Sequence, residues 1–148
     1  MVIEQQPATS KQKIIAIVED DVRLVNLFRD MLDCSDGDWR VYIFADGKDA
    51  QENLPQLQPD LILLDVGLPN LDGVSLYKIL RGHSNTRKTP IIVITGIRDW
   101  ELHRMGLQTG LLLRKPFNMN ELLFMIRALL SQEKLKQEPE MDELKIEE

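Results

Sequence analysis

The sequence of 148 residues predicts an α/β fold, a doubly wound sandwich in which a five-stranded parallel sheet carries helices on both faces. Three observations predict it. Five short apolar stretches recur along the chain, and they alternate with segments of helical periodicity. The stretches are continuously apolar rather than alternating, which suits strands buried on both faces. Parallel strands of this kind are joined by right-handed crossovers, and these put helices on both sides of the sheet.

Residues 1–12 are polar, contain Pro7 and read as a flexible arm. Ile14–Val18 is the first strand, ending in Glu19, Asp20 and Asp21. Leu24, Val25, Phe28, Met31 and Leu32 follow at helical spacing, so 21–33 reads as an amphipathic helix. Arg40–Phe44 is the second strand, and Gly47–Leu54 a modest helix stopped by Pro55. Asp60–Asp65 encloses four apolar residues and is the third strand. Pro69, Asn70, Asp72 and Gly73 make a turn in which Asp72 caps a helix over 73–82. Pro90 precedes the fourth strand, Ile91–Ile94, which ends at Thr95 and Gly96. A weaker helix covers 98–108, and Leu111–Arg114 is a short fifth strand before Lys115 and Pro116. Glu121–Leu130 is strongly helical, with an extension toward Lys136. The domain is thus expected over 13–132, with 133–148 as a charged tail or truncated linker.

Composition narrows the class. With 43% hydrophobic and 28% charged residues the chain reads as globular. Its longest apolar runs are five residues, Ile14–Val18 and Leu122–Ile126, too short to span a bilayer, so no membrane partner is expected. The lone Cys34 excludes an internal disulfide framework, fits a reducing cytoplasm and reads as structural. The net charge of -6 argues against direct nucleic-acid binding by charge alone. Seven acids and three bases fall in the last eighteen residues, while 14–130 hold sixteen acids and thirteen bases. What matters is where the acids of the core sit.

Four strands end in residues unlike themselves: Glu19 and Asp20, Asp65, Thr95, and Lys115. In an open parallel sheet, ligands bind beyond the carboxyl ends of the strands, so these residues converge on one crevice. Three carboxylates there repel one another, and a hard divalent cation such as Mg²⁺ relieves the repulsion. Lys115 offers a mobile positive charge to phosphate oxygens, and Thr95 a hydroxyl donor. An Asp beside a metal and a lysine can attack phosphorus and form an acyl phosphate.

The sequence here resembles the receiver domain of two-component response regulators, the CheY-like superfamily. The matching stretches are IIAIVEDD (Ile14–Asp21), PDLILLDVGLPNLDG (Pro59–Gly73), PIIVITG (Pro90–Gly96) and RKPF (Arg114–Phe117). The resemblance implies a (βα)5 flavodoxin-like fold, with Asp65 as phosphoacceptor and Glu19 and Asp20 as Mg²⁺ ligands. It further implies a metal contact from the backbone carbonyl of Gly67, Thr95 as switch hydroxyl, Lys115 as phosphate partner, and a cis bond between Lys115 and Pro116. It implies phosphoryl transfer from a histidine kinase or phosphotransfer protein, without turnover of an external substrate. Two departures stand out. Leu112 occupies the place where relatives usually carry Tyr or Phe, so their aromatic rotamer switch is expected to be absent. Gly67 is small where relatives often carry a larger side chain, which leaves a phosphoryl group more open to water.

Other functions fit less well. A phosphatase of the haloacid-dehalogenase type needs a second Asp at the place of Gly67 and its nucleophile on the first strand. A flavodoxin-like electron carrier needs a loop rich in Ser, Thr and Gly after the first strand, where Glu19–Asp21 would repel the FMN phosphate. A receiver-like interaction module that works without phosphorylation is the remaining alternative. After residue 132 the sequence is too short for a DNA-binding domain, so output is expected through a protein partner or a missing output domain, with a possible homodimer through 98–130. Trp100 and the leucines of 107–113 suit either a docking face or core.

Overall fold

The structure, a computed structural model, describes residues 12–68 and 70–135. The expected arm before Gln12, the tail beyond Leu135, and Pro69 of the expected turn lie outside the described residues. The elements alternate along the chain: β1 (Lys13–Val18), α1 (Val22–Cys34), β2 (Trp39–Phe44), α2 (Gly47–Leu57) and β3 (Leu61–Asp65) come first. Then follow α3 (Gly73–Gly82), β4 (Ile91–Thr95), α4 (Asp99–Arg104), β5 (Leu112–Arg114) and α5 (Met119–Leu135). The five strands pair in the order β2-β1-β3-β4-β5, all parallel. This is the doubly wound fold that the apolar runs predict.

The sheet separates two cores, as strand side chains that alternate in direction must. Ile15, Ile17, Leu61, Leu63, Ile92 and Ile94 join Phe28 and Leu32 of α1 and Leu122, Ile126 and Leu130 of α5. On the other face Ala16, Val18, Ile62, Leu64, Ile91 and Val93 meet α2, α3 and Leu102 of α4. Both faces of β3 and β4 are fully covered, so every residue of those strands is buried. Strands without an exposed face can present polar chemistry only at their ends.

Side chains from the loops fix the helix starts. Asp21, Asp46 and Asp72 are the N-caps of α1, α2 and α3, accepting bonds from the amides of Arg23, Asp49 and Ser75. Gly73 is obligatory, because a Cβ there would lie 2.2 Å from Cα of Val66 and 2.6 Å from the carbonyl oxygen of Asp65. The first turn of α3 is therefore pressed directly against the end of β3.

Four expectations need correction. Pro55 does not stop α2, which continues to Leu57 with Pro55 inside it. The missing proline amide removes only one bond near the helix end, while Leu57 packs on the core and Gln58, left-handed, closes the turn on the carbonyl of Leu54. The helix expected over 98–108 is only Asp99–Arg104. Gly106 adopts φ of 88° and turns the chain, so Leu107 is buried beyond the helix, its amide bonded to the carbonyl of Leu102. Finally, Cys34 is exposed at the end of α1 and contributes nothing to the core. The last helix also starts two residues earlier than its apolar stripe, at Met119.

Removing the cap of α3 tests the local account. Asp72→Ala is expected to cost about 1 kcal/mol in urea unfolding at neutral pH, a typical cap contribution for an exposed side chain. The hydrogen bond from the Ser75 amide holds the Asp72 carboxyl below its ordinary range. The wild-type advantage is therefore present at neutral pH and disappears as the carboxylate is protonated in acid.

Candidate functional site

Each candidate residue stands at a strand end, held there by the sheet. The amide of Glu19 bonds to the carbonyl of Phe44 at 3.0 Å, extending the β1–β2 pairing one residue past the strand. Glu19 is thereby drawn inward and is 2% exposed, while the next residue, Asp20, is exposed. Asp65, the last residue of β3, is 7% exposed. Thr95, the last residue of β4, is 1% exposed, and its carbonyl accepts the amide of Lys115 at 2.9 Å. That bond carries β5 past its last residue and sets Lys115 beside the end of β4. The Lys115–Pro116 peptide bond is cis. Phe117 then stacks on Phe28 of α1, ring centroids 6.0 Å apart, and ties the loop after β5 to the body.

The geometry brings together residues remote in sequence. One carboxylate oxygen from each of Glu19, Asp20 and Asp65 lies within 4.8 Å of the others. Nζ of Lys115 lies 3.6 Å from Oδ2 of Asp65. The amide of Gly67 donates to Oδ1 of Asp65 at 3.1 Å, so both oxygens of that carboxylate have a positive or partially positive neighbour. A Cβ at Gly67 would meet only Oδ1 of Asp65, at 3.9 Å, which is an ordinary contact. Oγ1 of Thr95 accepts the amide of Ile97 at 2.9 Å. Leu112 is half-buried against the core beside β4. Trp100 is exposed, whereas Leu107 and Leu113 are buried.

Electrostatics singles out Glu19. Its Oε2 accepts the Asp21 amide at 3.1 Å, but Oε1 is buried with no hydrogen-bond partner among the described residues. Burial above all, with the neighbouring Asp65 carboxylate adding to it, pushes the Glu19 carboxyl up to about 7, against the opposing pull of the Asp21 amide and Lys115. A buried oxygen without a donor, on a carboxylate clustered with two others, is what a cation would satisfy. Hard oxygen donors of this kind suit Mg²⁺. The three acids fit such an ion.

Sequence reasoning missed Arg114 and Asp99. The guanidinium of Arg114 donates to the carbonyl of Ile97 and forms a salt bridge with Asp99 at the start of α4. The signal was a basic residue at the end of a strand and an acid opening the neighbouring helix, a pairing that periodicity does not register.

Fold and site together define a flavodoxin-like α/β domain whose chemistry is gathered past the ends of β1, β3, β4 and β5. Residues 15–127 match the response regulator receiver domain, and the chain belongs to that family. It is 40% identical over 119 residues to the transcriptional regulatory protein CpxR of Klebsiella pneumoniae, an alignment covering 78% of this chain and 48% of that protein. It is 35% identical over 118 residues to the DNA-binding dual master transcriptional regulator RpaA of Synechocystis, with the same 78% and 48% coverage. The chain thus spans about half the length of the curated relatives it matches. Among solved structures it is similar to the receiver domain of the sensor histidine kinase PA1611 from Pseudomonas aeruginosa, with a TM-score of 0.72 and 28% identity over 82% of this chain and 99% of that one. That crystal structure has a magnesium ion coordinated in its active-site cleft. A Mn²⁺-bound form of the response regulator Rcp1 superposes with a TM-score of 0.66 at 27% identity, covering 80% of this chain and 92% of that one.

The raised Glu19 carboxyl has a measurable consequence. The folded state holds this proton more tightly than the unfolded state, so without metal the protein gains stability as pH falls through about 7, the opposite of the usual carboxylate. Chemical denaturation in chelator is expected to show this gain between about pH 8 and pH 5.5, and Glu19→Gln to remove it. At about pH 8 the substitution stabilises the metal-free protein by roughly 1–3 kcal/mol, because it replaces a charged carboxylate by a neutral amide and each unit of a raised pKa corresponds to about 1.4 kcal/mol.

Proposed function

We propose that this chain is a phosphoacceptor in which Asp65 receives a phosphoryl group from a histidine kinase or phosphotransfer protein. The observation that carries the reading is the pairing of Lys115 Nζ with Oδ2 of Asp65 at 3.6 Å, beside the carboxylates of Glu19 and Asp20. The chemistry balances without another reactant. A carboxylate oxygen of Asp65 attacks phosphorus, the bond from phosphorus to the donor's imidazole nitrogen breaks, and that nitrogen keeps the electron pair. The Gly67 amide fixes the rotation of the carboxylate, and Lys115 offers charge to the oxygens of the transferring group. Mg²⁺, held by Glu19, Asp20, Asp65 and the backbone carbonyl of Gly67, would supply the positive charge that lets three carboxylates and a phosphoryl group share one crevice. Thr95 is the hydroxyl that turns to the phosphoryl group. Hydrolysis of the acyl phosphate returns Asp65, so the chain modifies and restores itself and is not an enzyme of external substrates.

The receiver occupies 13–132, with 1–12 as an arm and 133–148 as a tail or part of a linker. The domain works in the cytoplasm as one part of a two-component system. Among the described residues no helix is long and apolar enough to cross a membrane. Its output passes through a protein surface in 98–130, to a partner, a second copy or an output domain, and not through nucleic acid bound by this part of the chain.

Intact mass after incubation with a small-molecule phosphodonor and Mg²⁺ tests the reading. Wild type gains one phosphoryl group and Asp65→Asn gains none. A gain by Asp65→Asn, or none by wild type, overturns it. Lys115→Ala is expected to slow uptake by roughly 10²–10³-fold, the scale for removal of one charge-stabilising donor. A second measurement concerns the space at Gly67. There is room for a side chain there, and Gly67→Met would shield the phosphoryl group from water. The half-life of the phosphorylated protein, followed by mass after donor removal, is expected to lengthen.

A further inference from the structure

The segment between β4 and α4 is held by an arrangement that the site itself does not require. The peptide of Ile97 is gripped at both ends. Its N–H is bonded to Oγ1 of Thr95, and its carbonyl accepts the guanidinium of Arg114. Arg114 is the register partner of Thr95 across the parallel β4–β5 pair, which is why its side chain can reach over the loop that leaves β4. The same guanidinium pairs with Asp99, the first residue of α4. A single fork thus joins the loop carbonyl and the helix start, a geometry that arginine supports and lysine does not.

The helix so held is otherwise weakly attached. It has six residues, no side-chain cap at its N-terminus, and Leu102 as its only buried residue. At its far end Lys78 of α3 donates to the carbonyl of Met105 at 3.0 Å. Two basic side chains from neighbouring elements, rather than an apolar face, therefore tether α4. Leu112, packed on the core, offers this loop no polar atom.

We propose that Arg114 is a positioning residue, a latch that holds the start of α4 against the sheet and couples its release to the Thr95 hydroxyl. The proposal rests on the phosphoacceptor reading above. When Oγ1 of Thr95 turns toward a phosphoryl group on Asp65, it gives up the amide of Ile97. The loop is then held by Arg114 alone, and the fork decides whether α4 stays docked. Coupling of this kind is reciprocal: if a ligand at Asp65 weakens the latch, removing the latch strengthens the ligand by the same factor.

Beryllofluoride with Mg²⁺, a mimic of the phosphoryl group, provides the test on the full chain. Its affinity and the hydrogen exchange of the amides of 97–105 are measured for wild type, Arg114→Ala and Arg114→Lys. Arg114→Ala is expected to bind the mimic about five- to tenfold more tightly, the lower part of the range for coupling between two sites. Its amides in 97–105 should exchange faster without the mimic and respond less when it is added. Arg114→Lys, which can satisfy Asp99 or Ile97 but not both, should lie between. A purely structural role would loosen the segment without tightening the site. Unchanged or weaker mimic binding by Arg114→Ala overturns the latch while leaving the phosphoacceptor reading intact. Failure of wild type to bind the mimic overturns both. If Arg114→Ala does not fold, Asp99→Asn carries the same test, with a smaller shift in the same direction.

Discussion

Three carboxylates with an oxygen each within 4.8 Å of one another, one of them with an oxygen buried and unpartnered among the described residues, constitute the interaction on which the arrangement of this protein turns. Such crowding is unfavourable, and it persists because the sheet enforces it. Glu19 is drawn inward by its bond to Phe44, and Asp65 ends a strand whose two faces are both covered. Neither side chain can move away without disturbing β1 or β3. The cost is local, whereas the packing that imposes it extends across both cores. Lys115, itself exposed, offsets part of it at 3.6 Å from Asp65. The site is thus a place where charge has been concentrated by rigid elements and left incompletely balanced, which is the condition under which adding a cation or a phosphoryl group changes the local energy most.

The two layers of helices do not share this rigidity equally. Helices α1 and α5 bury regular apolar stripes, and Phe117 stacked on Phe28 binds the loop after Lys115 to α1. On the other face α2 and α3 are well buried, while α4 contributes Leu102 and little else. A segment with few apolar contacts opens at low free energy. The loop from Thr95 to Asp99 joins the most constrained part of the molecule to the least constrained. It is there, rather than along the buried strands, that a change at Asp65 can become a change of shape.

Much of this was legible in the sequence because the governing pattern is simple. Strands covered on both faces must be continuously apolar, so Ile14–Val18, Leu61–Leu64 and Ile91–Ile94 stood out. Polar residues directly after them had to lie together, because parallel strands end on one side of the sheet. What the sequence withheld depended on contacts rather than pattern. The end of α2 differs from the expectation because Pro55, a strong stop signal, sits near the helix end, where it removes a single amide, and Leu57 beyond it packs on the core. The length of α4 differs from the expectation because the apolar residues run on to Leu107 with no proline between, yet Leu107 sits beyond the left-handed Gly106. The roles of Asp46 and Asp60 were equally hidden. Asp46 bonds the amide of Asp49 and the side chain of Asn70, and Asp60 accepts the amide of Ile14 at 2.7 Å. Each joins loops or strands distant in sequence, and no local periodicity records such a bond.

The net charge of -6 conceals how a signal could travel in this molecule. Fields between exposed charges are screened within about 8 Å at physiological ionic strength, so acids elsewhere on the surface have little influence on the crevice. The same screening limits what a new charge on Asp65 could do directly to α4 through solvent. Hydrogen bonds are not attenuated in this way, because each either forms or breaks. Thr95, Ile97 and Arg114 make an unbroken series from a buried strand end to the first residue of α4. The opening member of that series is a hydroxyl, and rotating the Thr95 side chain so that its O–H donates to a phosphoryl oxygen carries Oγ1 away from the amide of Ile97. A continuous change in electrostatic potential would thus be converted into a discrete exchange of partners. For that conversion an aromatic side chain at Leu112 is not needed; a fork that grips the loop and the helix together suffices.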